Sequence, residues 1–122
     1  MNSNHLYAFY GSLRKGMTNH RRYSKGMELV FTEFLTGYRL HAMRWYPYAV
    51  RTGNPDDYML VEVYRLTDKP TEQAIHDLEL SVGYHYDEVL LRDQSVGIYL
   101  FRESGAEPSV KGGDWVKFFG SP

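Results

Sequence analysis

A glycine-bounded loop after the first apolar segment has the residue types of an anion-binding turn. Residues 6–10 form a short aromatic and apolar run that ends at the Gly-Ser-Leu of residues 11–13. Because a glycine after a strand lets the next backbone N–H groups turn into a cavity, such a loop binds a carboxylate or a developing oxyanion. Arg14 and Lys15 would add positive charge. On composition alone, a plain strand-ending turn with solvated basic side chains is the commoner outcome.

Glu79 is the first candidate for proton transfer. It follows Leu78 near the apolar side of a helix that the periodicity predicts over residues 71–80. A carboxyl group pushed toward an apolar pocket has its charged form disfavoured, which suits it to accept and return a proton near neutral pH. Periodicity alone ranks a solvated position at the helix end higher. Glu62, on a predicted strand, stays a second candidate for the same role.

Residues 83–88 place two tyrosines around a histidine. The hydroxyls of Tyr84 and Tyr86 would orient a carboxylate, although packing in a sheet is the commoner fate of such aromatics. His85 lies between them as a tempting base. The five histidines of the chain are nevertheless scattered, without a ligand spacing such as His-x-x-x-His. We therefore predict no metal site and no cofactor.

The composition excludes several function classes. The chain of 122 residues carries 14 basic and 15 acidic side chains, so no global basic field attracts nucleic acid or an anionic membrane. Its lack of cysteine excludes disulfides, thiolate nucleophiles and thiolate metal ligands. We expect no signal peptide and no membrane-spanning stretch. These features predict a cytoplasmic protein that binds neither nucleic acid nor membrane.

The element order predicts a single domain of mixed fold. The predicted elements are a first strand over residues 6–10, a short helix over 19–24 with Thr18 as its N-cap, two strands within 27–43, a short strand after the aromatic loop 44–50, a strand over 58–66, the helix over 71–80 and a hairpin of 84–91 and 96–102. Because the strands do not alternate with helices, we predict an α+β fold, a small mixed β-barrel with one or two packed helices. The domain would span residues 1–122, with a core of about residues 5–102 and a C-terminal tail over 103–122 in which only 114–119 look able to dock.

These segments, in this order, resemble the γ-glutamylcyclotransferase-like (AIG2-like) family. The stretch from Phe9 to Gly16, continued by Asn19 and His20, is similar to the family's opening Tyr-Gly-Ser-Leu motif. Looser collinear matches follow at residues 37–40, 46–50, 61–64 and 75–79 and at Tyr86, so the resemblance runs from about residue 6 to residue 101.

Three positions depart from the family's pattern. His76 stands where Asp is usual, and Glu88 stands where many members carry Arg. Leu80 stands where Gly normally follows the catalytic Glu. We expect a side chain at position 80 to narrow the pocket or to turn the Glu away.

The resemblance implies a substrate site and a reaction. The implied substrate-binding residues are Tyr10, Gly11, Ser12, Leu13 and Tyr86. The loop backbone would hold the α-carboxylate and amino end of a γ-glutamyl group, and Glu79 would take a proton from the α-ammonium. The freed amine would attack the γ-carbonyl and release 5-oxoproline, while Glu79 returned the proton to the leaving amine. Such a cyclotransferase (a transferase or lyase) acts on a small γ-glutamyl amine or peptide without metal, nucleotide or covalent intermediate.

Two other interpretations stay open. One is a non-catalytic member of the same fold that only binds a small metabolite, which the orientation of Glu79 relative to Ser12 would discriminate. The other is a protein-interaction module whose exposed patch would consist of Trp45, Tyr46, Trp115 and Phe118. The sequence leaves open the leaving amine, the oligomeric state and the role of the segment at Asp114 and Trp115.

Overall fold

The structure is a computed structural model that describes residues 1–120, so residues 121 and 122 of the predicted tail lie outside the described residues. Its strands are β1 (Leu6–Phe9), β2 (Met27–Thr36), β3 (Tyr38–Ala42), β4 (Pro47–Arg51), β5 (Tyr58–Leu66), β6 (His85–Leu91) and β7 (Gln94–Leu100). Its helices are α1 (Thr18–Tyr23), α2 (Lys69–Ser81) and α3 (Trp115–Phe119), with 3-10 turns at Ser24–Gly26 and Lys111–Gly113.

Five strands form one mixed sheet in the order β2-β5-β1-β7-β6, and β3 and β4 form a separate two-stranded sheet. The central strand β1 pairs antiparallel with β5 and parallel with β7. The predicted α+β fold is thus confirmed. The predicted barrel is not closed, because the ladder of β3 and β4 joins neither β2 nor β6. Single backbone hydrogen bonds attach this hairpin instead, such as the one of 2.9 Å from Phe101 N to Ala49 O.

The three central strands of the main sheet, β5, β1 and β7, are buried on both faces, because their side chains alternate between two apolar clusters. On β5, Met59, Val61 and Val63 belong to one cluster, whereas Tyr64 belongs to the other. The first cluster receives Trp115 from α3, and the second receives Ile75 from α2. The predicted division of β5 into two faces is confirmed, and α2 covers the face that carries the aromatic side chains.

The helices differ from their predicted bounds at the N-terminal end. α2 begins two residues earlier than predicted, because Asp68 caps it by accepting a hydrogen bond of 2.8 Å from Thr71 N. Pro70 lies in the first turn, where the missing N–H has no intrahelical partner to lose. The predicted cap of α1 is wrong: Thr18 is its first residue, and Met17 precedes it without a side-chain hydrogen bond.

A buried arginine joins three separate parts of the chain. Arg14 Nε donates to Glu62 Oε2 on β5 over 2.8 Å, and its Nη1 donates to Asp114 Oδ1 over 2.7 Å. Glu62 also accepts from the backbone N–H of Lys15 and from the hydroxyl of Tyr64, both at 2.8 Å. The loop after β1, the strand β5 and the N-terminus of α3 are therefore held at one point. The guanidinium of Arg14, which was predicted to add positive charge to the loop, is instead neutralised by its pairs with Glu62 and Asp114.

Replacing Arg14 by Met is expected to lower the free energy of unfolding by about 3–5 kcal/mol, since it leaves the buried Glu62 carboxylate without its cation. Arg65→Met is the matched control, because its ion pair with Glu28 is exposed on both sides and such pairs contribute about 0–1 kcal/mol. Urea unfolding of both variants measures the difference. Equal losses in the two variants would contradict a structural role for the Arg14 network.

Candidate active site

A cavity of about 360 Å³ opens beside the loop that follows β1. The loop, the last turns of α2, the connection between β3 and β4, and α3 all contribute to its wall. The lining residues are 8–13, 17–19, 45–47, 78, 79, 82, 84, 99 and 119. A cavity of this size suits a small molecule.

Glu79 lies in this cavity without a partner. It is partly exposed, lines the cavity, and makes no side-chain hydrogen bond to any residue of 1–120. The surrounding protein raises the pKa of its carboxyl from 4.5 to about 8, because burial disfavours the charged form. No neighbouring cation offsets this effect. A carboxyl group with this pKa is suited to proton exchange near neutral pH, whereas periodicity alone favoured a solvated position at the helix end.

Three phenols line the cavity near Glu79. Burial is the largest cause that raises the pKa of the hydroxyls of Tyr10, Tyr84 and Tyr99 well above the ordinary value, and the charge of Glu79 adds to it in each case. Each hydroxyl is engaged elsewhere: Tyr10 donates to Tyr99 O over 2.5 Å, and Tyr84 donates to Pro47 O. Tyr99 shares a hydrogen bond of 2.7 Å with Nδ1 of His76. The phenols shape the wall around the carboxyl group and leave it free for a ligand.

The loop of residues 11–13 lines the same cavity. Its carbonyls are used within the loop: Arg14 N donates to Gly11 O over 3.0 Å, and His20 N donates to Ser12 O over 3.1 Å. Among residues 1–120, no hydrogen bond engages the three N–H groups of the loop itself. A side chain at position 11 would place its Cβ 2.8 Å from the ring of Pro47, so only glycine fits here.

The structure brings five of the six predicted site residues to one cavity, namely Tyr10, Gly11, Ser12, Leu13 and Glu79. Tyr86 lies outside the lining, where its hydroxyl donates to Glu88 Oε2 over 2.5 Å. Its ring packs 5.6 Å from that of Tyr99, which faces the cavity in its place. Glu62, the second candidate for proton transfer, is engaged by Arg14 and lies outside the lining as well.

The sequence comparison agrees with this geometry. The family model described as "Gamma-glutamyl cyclotransferase, AIG2-like" matches residues 7–117, from β1 into α3. The chain belongs to this family. Membership supports a γ-glutamylcyclotransferase-like function and a small-molecule substrate, and the predicted resemblance is confirmed.

Relatives of the chain share its sequence and fold. A Pyrococcus horikoshii protein named "Putative gamma-glutamylcyclotransferase PH0828" is 34% identical over 111 residues, which cover 88% of each chain. The crystal structure of PH0828 superposes with a TM-score of 0.78 at 30% identity and covers 93% of this chain and 92% of that one. The solution structure of protein ytfP from Escherichia coli covers 93% and 98%, with a TM-score of 0.71 at 23% identity, which shows a common fold.

Leu80, which departs from the pattern of the AIG2-like family, does not enter the cavity. Its side chain is 45% exposed and lies outside the lining, whereas Leu78, Glu79 and Val82 contribute to it. Successive helix residues point about 100° apart, so a side chain after Glu79 turns away from the face that Glu79 shares. The expectation that position 80 narrows the pocket or turns the Glu away is therefore wrong.

The aromatic residues predicted to form one exposed patch are separated. Trp115 is 1% exposed and belongs to the core, while Phe118 on the same helix is 45% exposed. Trp45 and Tyr46 line the cavity of this AIG2-like domain. The interaction-module hypothesis thus loses Trp115, one of its four residues. Sequence reasoning missed Phe119 and Tyr99 as lining residues; for Tyr99, the alternation along β7 was the available signal.

Two features, a metal-ligand cluster and a membrane-spanning helix, are absent from residues 1–120. These residues contain no group of three or more His, Asp or Glu side chains placed to hold a metal ion. No helix in that range is long and apolar enough to span a membrane. The cytoplasmic location stays a prediction.

The free energy of unfolding is expected to carry a signature of Glu79. Burial raises the pKa of Glu79 in the folded protein, so the folded state binds the proton more tightly than the unfolded state does. The resulting contribution to the free energy of unfolding is fully present below pH 4.5. It is lost as the pH rises toward about 8. Urea unfolding across this interval measures the slope, and a side-chain carboxyl NMR titration measures the pKa directly.

Glu79→Gln provides the control for this slope, since the amide does not titrate. The variant is expected to lose the Glu79 part of the pH dependence and the NMR signal that titrates near pH 8. An unchanged slope in the variant would show that the raised pKa belongs to another group.

Proposed function

We propose that this protein is a cyclotransferase that releases 5-oxoproline from a γ-glutamyl amine or peptide, with Glu79 as its general acid and base. The observation that carries the proposal is the unpaired carboxyl of Glu79 in the same cavity as the unbonded N–H groups of residues 11–13. A ligand that complements both must supply a cation and an anion a short distance apart. The α-ammonium and α-carboxylate of a glutamyl group are such a pair.

Binding of the ammonium group would prepare the carboxyl group for its task. An uncompensated carboxylate is disfavoured in this cavity, and an incoming ammonium ion supplies the missing positive charge. The backbone N–H groups would hold the α-carboxylate as oriented dipoles, since no basic side chain lines the cavity. The charge pattern of the site thus favours an α-amino acid end over a simple acid or a simple amine.

The reaction needs one proton carrier and a substrate bent so that its α-nitrogen reaches its γ-carbonyl carbon. Glu79 takes a proton from the α-ammonium, and the nitrogen lone pair attacks the γ-carbonyl carbon to close a five-membered lactam. Glu79 returns this proton to the leaving nitrogen and then takes the second proton of the attacking nitrogen as the bond from the carbon to the leaving nitrogen breaks. It passes that second proton to the departing amine. The products are 5-oxoproline and a free amine, and no water is consumed. Because the nucleophile is tethered to the electrophile, orientation by the cavity contributes much of the rate.

The test is 5-oxoproline release by the wild type and by Glu79→Gln, assayed on a panel of γ-glutamyl amines and dipeptides. We expect the variant to lose about 10²–10⁴-fold in kcat, the range for a general acid–base group. Leu80→Ala is the matched control, because Leu80 adjoins Glu79 but is exposed outside the cavity, and its activity should be unchanged.

Other outcomes of this assay discriminate the alternatives. Release that survives Glu79→Gln in the folded variant would assign the proton transfer to another group. No release from any γ-glutamyl compound, combined with calorimetric binding of them, would identify a small-metabolite-binding member of the family.

The pH profile follows from the same mechanism. Only the ionised Glu79 accepts a proton, so kcat/KM is expected to rise with pH and to level off above the pKa of about 8. Stopped assays of wild-type enzyme over this range, with Leu80→Ala as a second active protein, measure the acidic limb. A limb that levels off near pH 4.5 would contradict the raised pKa as a catalytic property.

A further inference from the structure

We propose that the leaving amine carries an uncharged, apolar substituent, and that Trp45 and Phe119 select it at the rim of the cavity. This inference rests on the proposed cyclotransferase reaction, because it concerns the part of the substrate that the reaction expels. Its basis is the distribution of charge and apolar surface around the cavity, which is independent of the residues assigned to the glutamyl end.

The cavity has no charged group left for the leaving amine. Of its lining side chains, none is Lys, Arg or His, and Glu79 is the sole acid among them. In the proposed complex Glu79 pairs with the α-ammonium, and the loop N–H groups bind the α-carboxylate. Asn19, one of the few polar lining residues, already donates its amide to Ser12 Oγ over 2.9 Å. A charged substituent would enter this space without a partner, which is costly.

The nearest basic side chains are occupied or lie outside the lining. Arg14 is buried in its pairs with Glu62 and Asp114. Arg44 is exposed, and its guanidinium carbon lies 5.5 Å from the centre of the Trp45 ring. A cation already over this ring disfavours the approach of a second one, so cation–π attraction to Trp45 is not open to a charged substituent. Arg44 itself is not among the residues that line the cavity.

Apolar side chains from separate elements meet around the opening. Trp45 comes from the connection between β3 and β4, Val82 follows α2, and Phe119 ends α3. These three are 67%, 38% and 36% exposed, an unusual exposure for large apolar groups that border one cavity. Exposed apolar side chains that line one cavity are a feature of ligand-binding grooves. An alkyl or aryl substituent that leaves the glutamyl pocket would cover it.

The ion pair of Arg14 explains how α3 reaches this position. Asp114 accepts from Arg14 and also caps α3 by accepting from Lys117 N over 3.2 Å. Trp115 anchors the same helix in the core. The C-terminal segment, whose role the sequence left open, thus places Phe119 against the cavity.

Three γ-glutamyl compounds of equal length test the inference. They are γ-glutamylhexylamine, its analogue with a terminal ammonium (from 1,5-diaminopentane) and its analogue with a terminal carboxylate (from 6-aminohexanoate). We expect kcat/KM for the hexyl compound to exceed that of each charged analogue by about tenfold or more, since the terminal charge of the analogues would leave water without a partner. Equal or higher values for either charged analogue would overturn the proposal.

Variants assign the selectivity to residues. Trp45→Ala and Phe119→Ala are each expected to lower kcat/KM several-fold for γ-glutamylhexylamine and to have little effect on γ-glutamylethylamine, whose substituent is too short to reach the rim. Leu90→Ala is the matched control, because Leu90 is 69% exposed on β6, away from the cavity lining. Equal losses on the short and long substrates would contradict a selective role and indicate a general structural one.

Arg44→Ala tests the remaining cation. We expect no change in the ratio of the hexyl compound to the carboxylate analogue. A decrease in kcat/KM that is confined to the carboxylate analogue would show that Arg44 recruits anionic leaving groups and would overturn the proposal.

Calorimetric binding to Glu79→Gln separates failure of this inference from failure of the proposed reaction. If no compound is turned over but the hexyl compound binds about tenfold more tightly than its charged analogues, the reaction is wrong and the apolar rim stands. If all three are turned over at similar rates, the reaction stands and the rim assignment is wrong. Neither turnover nor binding of any compound would overturn both.

Discussion

The buried ion pairs of Arg14 are the interaction on which the rest of the site depends. Arg14 follows the central strand directly, and its partners Glu62 and Asp114 come from β5 and from the start of α3. An arginine is suited to this task, because its planar fork donates in two directions while remaining charged. With the arginine in place, the loop of residues 11–13, the sheet and the C-terminal helix have fixed relative positions. The cavity is the space that these three parts enclose with α2.

The contrast between paired and unpaired carboxyl groups supports the proposed role of Glu79. Glu62 is buried and accepts from Arg14 and from Tyr64. Glu72 is also buried, and it accepts from the Tyr7 hydroxyl over 2.5 Å while contacting His5 at 3.0 Å. For both carboxylates, hydrogen bonds within the protein replace the hydrogen bonds to water that burial removes. Glu79 has no such hydrogen bond to residues 1–120, and its raised pKa is the consequence. Glu62 and Glu72 are thus satisfied by protein partners, whereas, among residues 1–120, the partly exposed Glu79 is without one in the cavity, which supports a role in ligand binding.

The loop after β1 and the rim of the cavity differ in how readily their side chains can be replaced. The loop after β1 is constrained by the contact of Gly11 with Pro47 and by its own backbone hydrogen bonds. The rim is built from side chains on a connection, a helix end and the C-terminal helix, which tolerate change without disturbing the sheet. Under the proposed reaction, substitutions at the rim would change the preferred leaving group without disturbing the loop after β1.

The sequence by itself determined the order of the elements, the strand-ending loop at Gly11 and the placement of Glu79 near the apolar side of a helix. These features are local: they follow from the alternation of apolar residues along strands, the helical period and turn chemistry, each readable within a few residues. The tertiary structure decided the rest. It left the barrel open, turned Leu80 to solvent, put Tyr99 rather than Tyr86 in the cavity wall, and gave Arg14 two partners, 48 and 100 residues away. Those outcomes depend on contacts between distant segments, and no local pattern specifies which side chains will meet.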